Sequence, residues 1–239
     1  MKKKHLGNIK LKVDDEDFNK KYKRWRDNMV KILTSGFYNG FPNEFSNILK
    51  KYIKEDMNFA FIASEFKNIY ERTDWYCNHF LKMFSDCGIT FKNINVIDDR
   101  ISKEIAKELI KNADVIWLAG GDTPKQFSYL ESYELVQAIK EQSCIVIGMS
   151  AGSINMCKKA ICTLTCEHEE QKIYDGLGLV EFSVEPHFDK ENITEELLLL
   201  SEVYPLYGLC DDSAIICNED ESLYIGDVFF VNNRSITKV

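Results

Sequence analysis

From Met29 onward, short apolar runs alternate with stretches whose apolar residues recur at helical spacing. Val30-Lys-Ile-Leu33 reads as a strand closed by a Thr-Ser-Gly turn, and Phe45, Ile48, Leu49, Tyr52 and Ile53 then mark one face of a helix. Phe59–Ala63 predicts a second strand. Trp75–Phe84 predicts a helix with Phe80, Leu81 and Phe84 on one side. A strand at Ile94–Ile97, a helix carrying Ile105, Leu109 and Ile110, and a strand at Val115–Ala119 follow. Pro124 suits the first turn of the next helix, on which Phe127, Leu130, Leu135 and Ile139 fall. The fifth apolar run starts at Cys144 and enters Gly148-Met-Ser150-Ala-Gly152, after which a helix can begin.

Strands apolar on both faces and separated by helices predict an α/β fold, a mostly parallel sheet flanked by helices with right-handed crossovers. Beyond Ile161 the pattern changes. Leu177–Val184, Leu206–Leu209, Ala214–Cys217, Leu223–Ile225 and Val228–Val231 read as short strands, interrupted by one helix at Ile193–Val203. These predict short β-hairpin additions, or an edge extension of the same sheet, in the C-terminal third.

Composition narrows the picture. With 239 residues, 45% of them hydrophobic, and only 12 glycines and 4 prolines, the chain suits one α/β domain over residues 29–239. Residues 1–28 hold ten Lys/Arg and five Asp/Glu, a +5 segment that reads as a solvated basic extension with one helix around Phe18–Arg26. The net charge of −8 leaves −13 on the remainder, which argues against nucleic acid as a partner. No apolar run approaches the roughly 20 residues of a membrane span. No apolar segment follows Met1-Lys-Lys-Lys, so no secretory signal is expected and the expected location is the cytoplasm. Eight cysteines without a Cys-x-x-Cys pair are expected to be free thiols rather than disulfides or metal ligands.

The chemistry concentrates at two glycine motifs that follow strands, where open parallel sheets place their sites. Gly148-x-Ser150-x-Gly152 can hold a serine on a tight strand-to-helix bend with its Oγ exposed. Gly120-Gly121-Asp122-Thr123 follows the preceding strand. The Gly121 and Ala151 amides are candidate oxyanion donors, and Gly120, Asp122 and Thr123 are candidates to border a substrate. The spacing of a phosphate-binding loop is missing, and no cofactor is expected.

A serine nucleophile needs a base. Of four histidines, His5 lies in the extension, His79 in an early helix, and His168 among Glu167, Glu169 and Glu170, which reads as a solvated charged loop. His187, in Glu185-Pro-His-Phe-Asp189 just past an apolar strand, has the best context. For an orienting carboxylate, Asp211 and Asp212 stand at a strand end, with Asp175, Glu185 and Asp189 as competitors.

From Met29 to the C-terminus, four motifs in this order resemble the aspartyl dipeptidase (dipeptidase E) and cyanophycinase family of serine peptidases. They are Gly120–Thr123, Gly148–Gly152, Gly176-Leu-Gly-Leu179 leading to Pro186-His-Phe188, and the acidic turn before Ala214. The resemblance implies a fold like that of class I glutamine amidotransferases and metal-free cleavage of small peptides near aspartyl residues. It implies Ser150 as nucleophile and His187 as general base. The family's usual Glu falls best on Asp211, with Asp212 as the alternative, and its usual Asn is Asp122 here. The rival enzyme, an α/β-hydrolase esterase, expects the order Ser, acid, His, whereas Ser, His, Asp is natural here. An amidotransferase would need Cys at Ser150. The rival from another class is a weak or inactive relative that binds a peptide or small metabolite. Expected partners are a small peptide substrate and, as one open assembly, a second copy in a homodimer.

Overall fold

The computed structural model describes residues 29–166, 168–217 and 221–239. The basic extension, with His5 and the helix read over Phe18–Arg26, lies outside them. Seven strands form the main sheet: β1 (Val30–Thr34), β2 (Asn58–Ile62), β3 (Asn93–Ile97), β4 (Val115–Leu118), β5 (Ile145–Met149), β10 (Ala214–Cys217) and β11 (Ser222–Ile225). Their order is β11-β10-β1-β5-β4-β2-β3. The five strands from β1 to β3 in that order run parallel, and β10 and β11 join antiparallel beside β1.

Because side chains alternate across a strand, each central strand feeds two cores. Leu33, Ile62, Leu118 and Val146 belong to one, packed with Ala106, Ile110, Leu130, Leu135, Ile139 and Ile154. Ile32, Phe61, Trp117 and Ile147 belong to the other, packed with Phe45, Phe80 and Phe84. Helices α1 (Asn43–Tyr52) and α2 (Tyr70–Asp86) therefore cover the second face. Helices α3 (Lys103–Lys111), α4 (Thr123–Ser132), α5 (Leu135–Lys140) and α6 (Ala151–Met156) cover the first. At the β3 edge, Asn93 and Ile94 are exposed and Asn95 and Val96 half-buried, which explains why this strand is the least apolar of the five.

Four expectations need correction. The helix expected from Pro124 through Ile139 is two, because Glu134 takes a left-handed φ of 57° and breaks the run between α4 and α5. Ile105 lies outside the core, 52% exposed, while Ala106 and Ile110 supply the buried face of α3. Most of the strand expected at 177–184 is loop; only β8 (Ser183–Pro186) is strand. The helix expected at Ile193–Val203 is α7 (Glu195–Ser201).

The C-terminal third also holds β6 (Lys159–Cys162), β7 (Lys172–Asp175), β9 (Leu206–Leu209), β12 (Val228–Asn232) and β13 (Ser235–Lys238). β6 pairs with β7 in a two-stranded ribbon, and a four-stranded sheet has the order β13-β12-β9-β8. The pair β10–β11 is an antiparallel hairpin, as expected; β12 forms another with β13, a strand not expected from the sequence, and β8 and β9 are parallel and joined through α7. That parallel pair brings the chain after Pro186 beside the chain after Leu209, which are register partners. Among the described residues no helix is long and apolar enough to cross a membrane.

Candidate active site

The carboxyl ends of β1, β5 and β4 lie side by side, so the turns after Thr34, Met149 and Leu118 meet. Ser150 occupies the bend between β5 and α6 with φ 48° and ψ −108°, a backbone that L residues other than glycine rarely adopt. The bend is held from both sides. The Ser150 amide donates to the Thr34 carbonyl at 2.9 Å, and the Ile154 amide donates to the Ser150 carbonyl at 3.1 Å. Gly152 lets the first turn of α6 press against β4: a Cβ there would stand 2.7 Å from Leu118 Cβ and closer still to the Leu118 carbonyl oxygen. Ser153 ties the same turn to β1: its Oγ lies 2.7 Å from both the Thr34 and Gly148 carbonyls, which share its one proton, and accepts from the Thr34 amide at 2.8 Å.

Ser150 Oγ lies 2.9 Å from His187 Nε2, and His187 Nδ1 lies 2.8 Å from Asp211 Oδ1. The parallel pair β8–β9 delivers these last two residues together, and the Phe188 amide fixes the turn by donating to the Leu209 carbonyl at 3.0 Å. Asp211 is surrounded by donors. Ser35 Oγ donates to Oδ1 at 2.7 Å, the Gly36 amide to Oδ1 at 2.9 Å, and Tyr38 Oη to Oδ2 at 2.6 Å. Burial pushes the Asp211 carboxyl up. The bonds from Tyr38, Ser35 and Gly36, with the neighbouring His187, outweigh that and hold it below the usual carboxylate range. An ionised carboxylate only accepts, so Nδ1 carries the imidazole proton and Nε2 is left to accept from Ser150. Ser35 Oγ also accepts from the His187 amide at 2.7 Å, fixing a histidine whose own φ is 55°.

The competing carboxylates stand elsewhere. Asp175 pairs with Lys159 and Asp189 with Asn192. The Asp212 amide donates to the Gly36 carbonyl at 2.8 Å, and its buried Oδ1 has no hydrogen-bond partner. Asp122 caps α4, accepting from the Lys125 amide at 2.9 Å, and its other oxygen is 3.4 Å from Lys125 Nζ. Gly121 keeps a positive φ of 139° beside it.

His168 is not a solvated loop residue. It is half-buried, with Nδ1 3.0 Å from the Thr163 carbonyl and Nε2 3.1 Å from the hydroxyl of buried Thr123. The carbonyl only accepts, so Nδ1 bears a proton here too. Two chambers meet at Ser150 and share it with Gly121 and His187. One is about 600 Å³ and takes in Asp122, Thr123 and His168; the other is about 270 Å³ and takes in Gly120 and Met149. Residues that sequence reasoning missed are Ser35, Gly36 and Tyr38. Ser35 and Gly36 are signalled only by a Thr-Ser-Gly turn at a strand's carboxyl end, and Tyr38, two residues further on, by nothing.

Glu185, two residues before His187, is 1% exposed. Thr163 Oγ1 donates to its Oε1 at 2.7 Å, and Oε2 has no partner. Burial pushes its carboxyl up to about 8, with Thr163 lowering it and Glu196 raising it. A carboxyl raised in the folded state binds more protons there than in the unfolded chain. Its stabilising contribution is therefore complete below about pH 4 and is lost as pH rises through 8. Urea unfolding is expected to show wild-type stability falling by on the order of 1 kcal/mol per pH unit between pH 5 and 8. Glu185→Gln should flatten that slope; an equal slope in both proteins would assign it to other groups.

All eight cysteines are free thiols, and among the described residues no group of three His, Cys, Asp or Glu side chains is placed to hold a metal ion. Solved structures share the fold. A peptidase from an acI-B1 actinobacterium superposes with a TM-score of 0.68 at 19% identity, over 88% of this chain and 93% of that one. A candidate peptidase E of Listeria monocytogenes gives 0.62 at 19% identity, over 82% and 98%. In sequence, the chain is 26% identical over 200 residues to a peptidase E of Nostoc sp., covering 77% of each. It is 32% identical over 136 residues to a peptidase E of Shewanella baltica, covering 51% of this chain and 57% of that one. The profile of peptidase family S51 matches residues 32–225. Since that match runs from β1 through β11 and spans every group gathered around Ser150, the chain belongs to peptidase family S51, a family of serine peptidases.

Proposed function

We propose that this protein hydrolyses short peptides through an acyl-enzyme on Ser150, with aspartyl dipeptides as the first substrate class. The observation that carries the reading is the unbroken chain Ser150–His187–Asp211, with contacts of 2.9 and 2.8 Å. Ser150 Oγ attacks the scissile carbonyl carbon while His187 Nε2 takes its proton, and Asp211 stabilises the imidazolium that forms. The Gly121 and Ala151 amides receive the oxyanion. The carbon–nitrogen bond then breaks, His187 returns its proton to the leaving amine, and water hydrolyses the ester by the same relay. Asp122, where the family usually carries Asn, has its carboxylate engaged by the Lys125 amide and ammonium, which offsets its charge beside Gly121.

Treatment with a serine-reactive fluorophosphonate, read by intact mass, tests it. One adduct on Ser150 is expected, absent in Ser150→Ala and strongly slowed in His187→Ala. No adduct, together with no hydrolysis of aspartyl dipeptides, would replace the hydrolase with a protein that only binds its ligand.

A further inference from the structure

Ser150 stands on the wall between two chambers of unlike charge. Asp122, Glu169 and Glu170 border the larger one with one lysine, Lys172, which pairs with Glu170 at 2.6 Å, while Lys125 lies 3.4 Å from Asp122. Besides the shared His187, the smaller has one basic lining residue, Arg72, and no carboxylate. Phe61, Ile69 and Met149 supply its apolar wall. Arg72 lies in the first turn of α2, and its Nη2 donates to Glu65 at 3.1 Å. Glu65 is divided, since Lys125 Nζ also reaches it at 3.0 Å. A guanidinium carries five N–H donors in a planar fork, so one bond to Glu65 leaves donors for a second carboxylate.

A short peptide carries an ammonium at one end and a carboxylate at the other. Laid across Ser150 with its ammonium toward the acidic chamber, it directs the leaving residue into the smaller one. The smaller chamber, about 270 Å³, has the room of roughly nine waters at ~30 Å³ each, the scale of one amino-acid residue. We propose that Arg72 binds the α-carboxylate of the leaving residue, so that the site reads a free carboxyl terminus one residue beyond the scissile bond. This assignment rests on the serine-hydrolase reading above and adds a specificity-determining residue to it.

The test compares aspartyl-leucine with its C-terminal amide on wild type, Arg72→Gln and Arg72→Lys. Wild type is expected to favour the free acid by about tenfold to a hundredfold in kcat/KM, the usual worth of a charge-assisted bond. In Arg72→Gln that ratio should collapse toward one, chiefly through KM for the acid; Arg72→Lys should keep part of it. A structural role confined to the Glu65 pair would slow both substrates alike and leave the ratio in place. A wild-type ratio near one, or an equal ratio in Arg72→Gln, overturns the assignment. If neither peptide turns over, protection of Ser150 from the fluorophosphonate by each peptide reads the same ratio, and equal protection overturns the assignment as well. A Ser150 adduct with an unmoved ratio rejects Arg72 alone. No adduct and no hydrolysis rejects the serine chemistry and the Arg72 assignment together.

Discussion

Ser150→Ala is expected to lower kcat/KM for a peptide substrate by about 10³-fold or more, with the protein still folded. The change removes one oxygen whose only side-chain hydrogen bond, among the described residues, is the 2.9 Å contact to His187. The two backbone bonds that shape the bend, Ser150 amide to Thr34 and Ile154 amide to Ser150, do not involve the side chain and persist. A loss of 10³ corresponds to about 4 kcal/mol of transition-state stabilisation, more than any packing change from one half-exposed hydroxyl would supply. His187→Ala should cost a similar factor. If the two act as nucleophile and base, the double variant should be no slower than the worse single, because each without the other leaves the same broken unit. Multiplied losses in the double variant would mean that the two residues act separately. Turnover equal to wild type in Ser150→Ala would end the acyl-enzyme mechanism.

How much of this was legible in sequence follows from the range of the contacts involved. The central strands were readable because both faces are buried, which leaves apolar residues at nearly every position of β4 and β5 and at three of five positions of β1. Ser150 was readable because the two glycines that permit the bend lie within two residues of it. His187 emerged from a short candidate list. Ser35, Gly36 and Tyr38 did not emerge, because their bonds to Asp211 cross 176, 175 and 173 residues and exist only once β1, β9 and β10 are in register. Sequence charge misled at His168. Its glutamate neighbours suggest solvent, yet its two ring nitrogens are anchored at Thr163 and, across 45 residues, Thr123. The break at Glu134 was hidden for a different reason: no glycine or proline marks a left-handed residue there. β7 was missed because its alternation is weak, with Ile173 exposed and Tyr174 half-buried.

Those long-range donors give Asp211 substitutions a distinctive expected pattern. In the proposed mechanism Asp211 orients the imidazole and offsets its positive charge, so Asp211→Ala should cost about 10³- to 10⁴-fold in kcat/KM. Asp211→Asn should cost less, about 10²-fold, for a reason specific to this site. An asparagine in place of an orienting aspartate does its worst damage when its NH2 faces the histidine and forces the wrong tautomer. Here the Gly36 amide donates to Oδ1 from a backbone position that cannot turn away, and Ser35, itself accepting from the His187 amide, donates to the same atom. An amide nitrogen at Oδ1 would meet those donors head-on, so the asparagine oxygen takes that place and Nδ1 keeps its proton. The Tyr38 hydroxyl can reverse and accept from the NH2 at the Oδ2 position. The residual loss in Asp211→Asn is then the missing negative charge alone. Removing the Ser35 hydroxyl as well, in Ser35→Ala with Asp211→Asn, should deepen the loss, because one of the two groups that set the amide's orientation is gone. The carboxylate also leaves a mark on stability: with its pKa depressed in the fold, its contribution is present above the ordinary carboxylate range and is lost as pH falls through the lowered value. Asp211→Asn should therefore weaken the acid dependence of unfolding while retaining measurable turnover. Equal losses in Asp211→Asn and Asp211→Ala would mean that the Gly36 amide does not govern the side chain's orientation, and that charge and geometry fail together at this position.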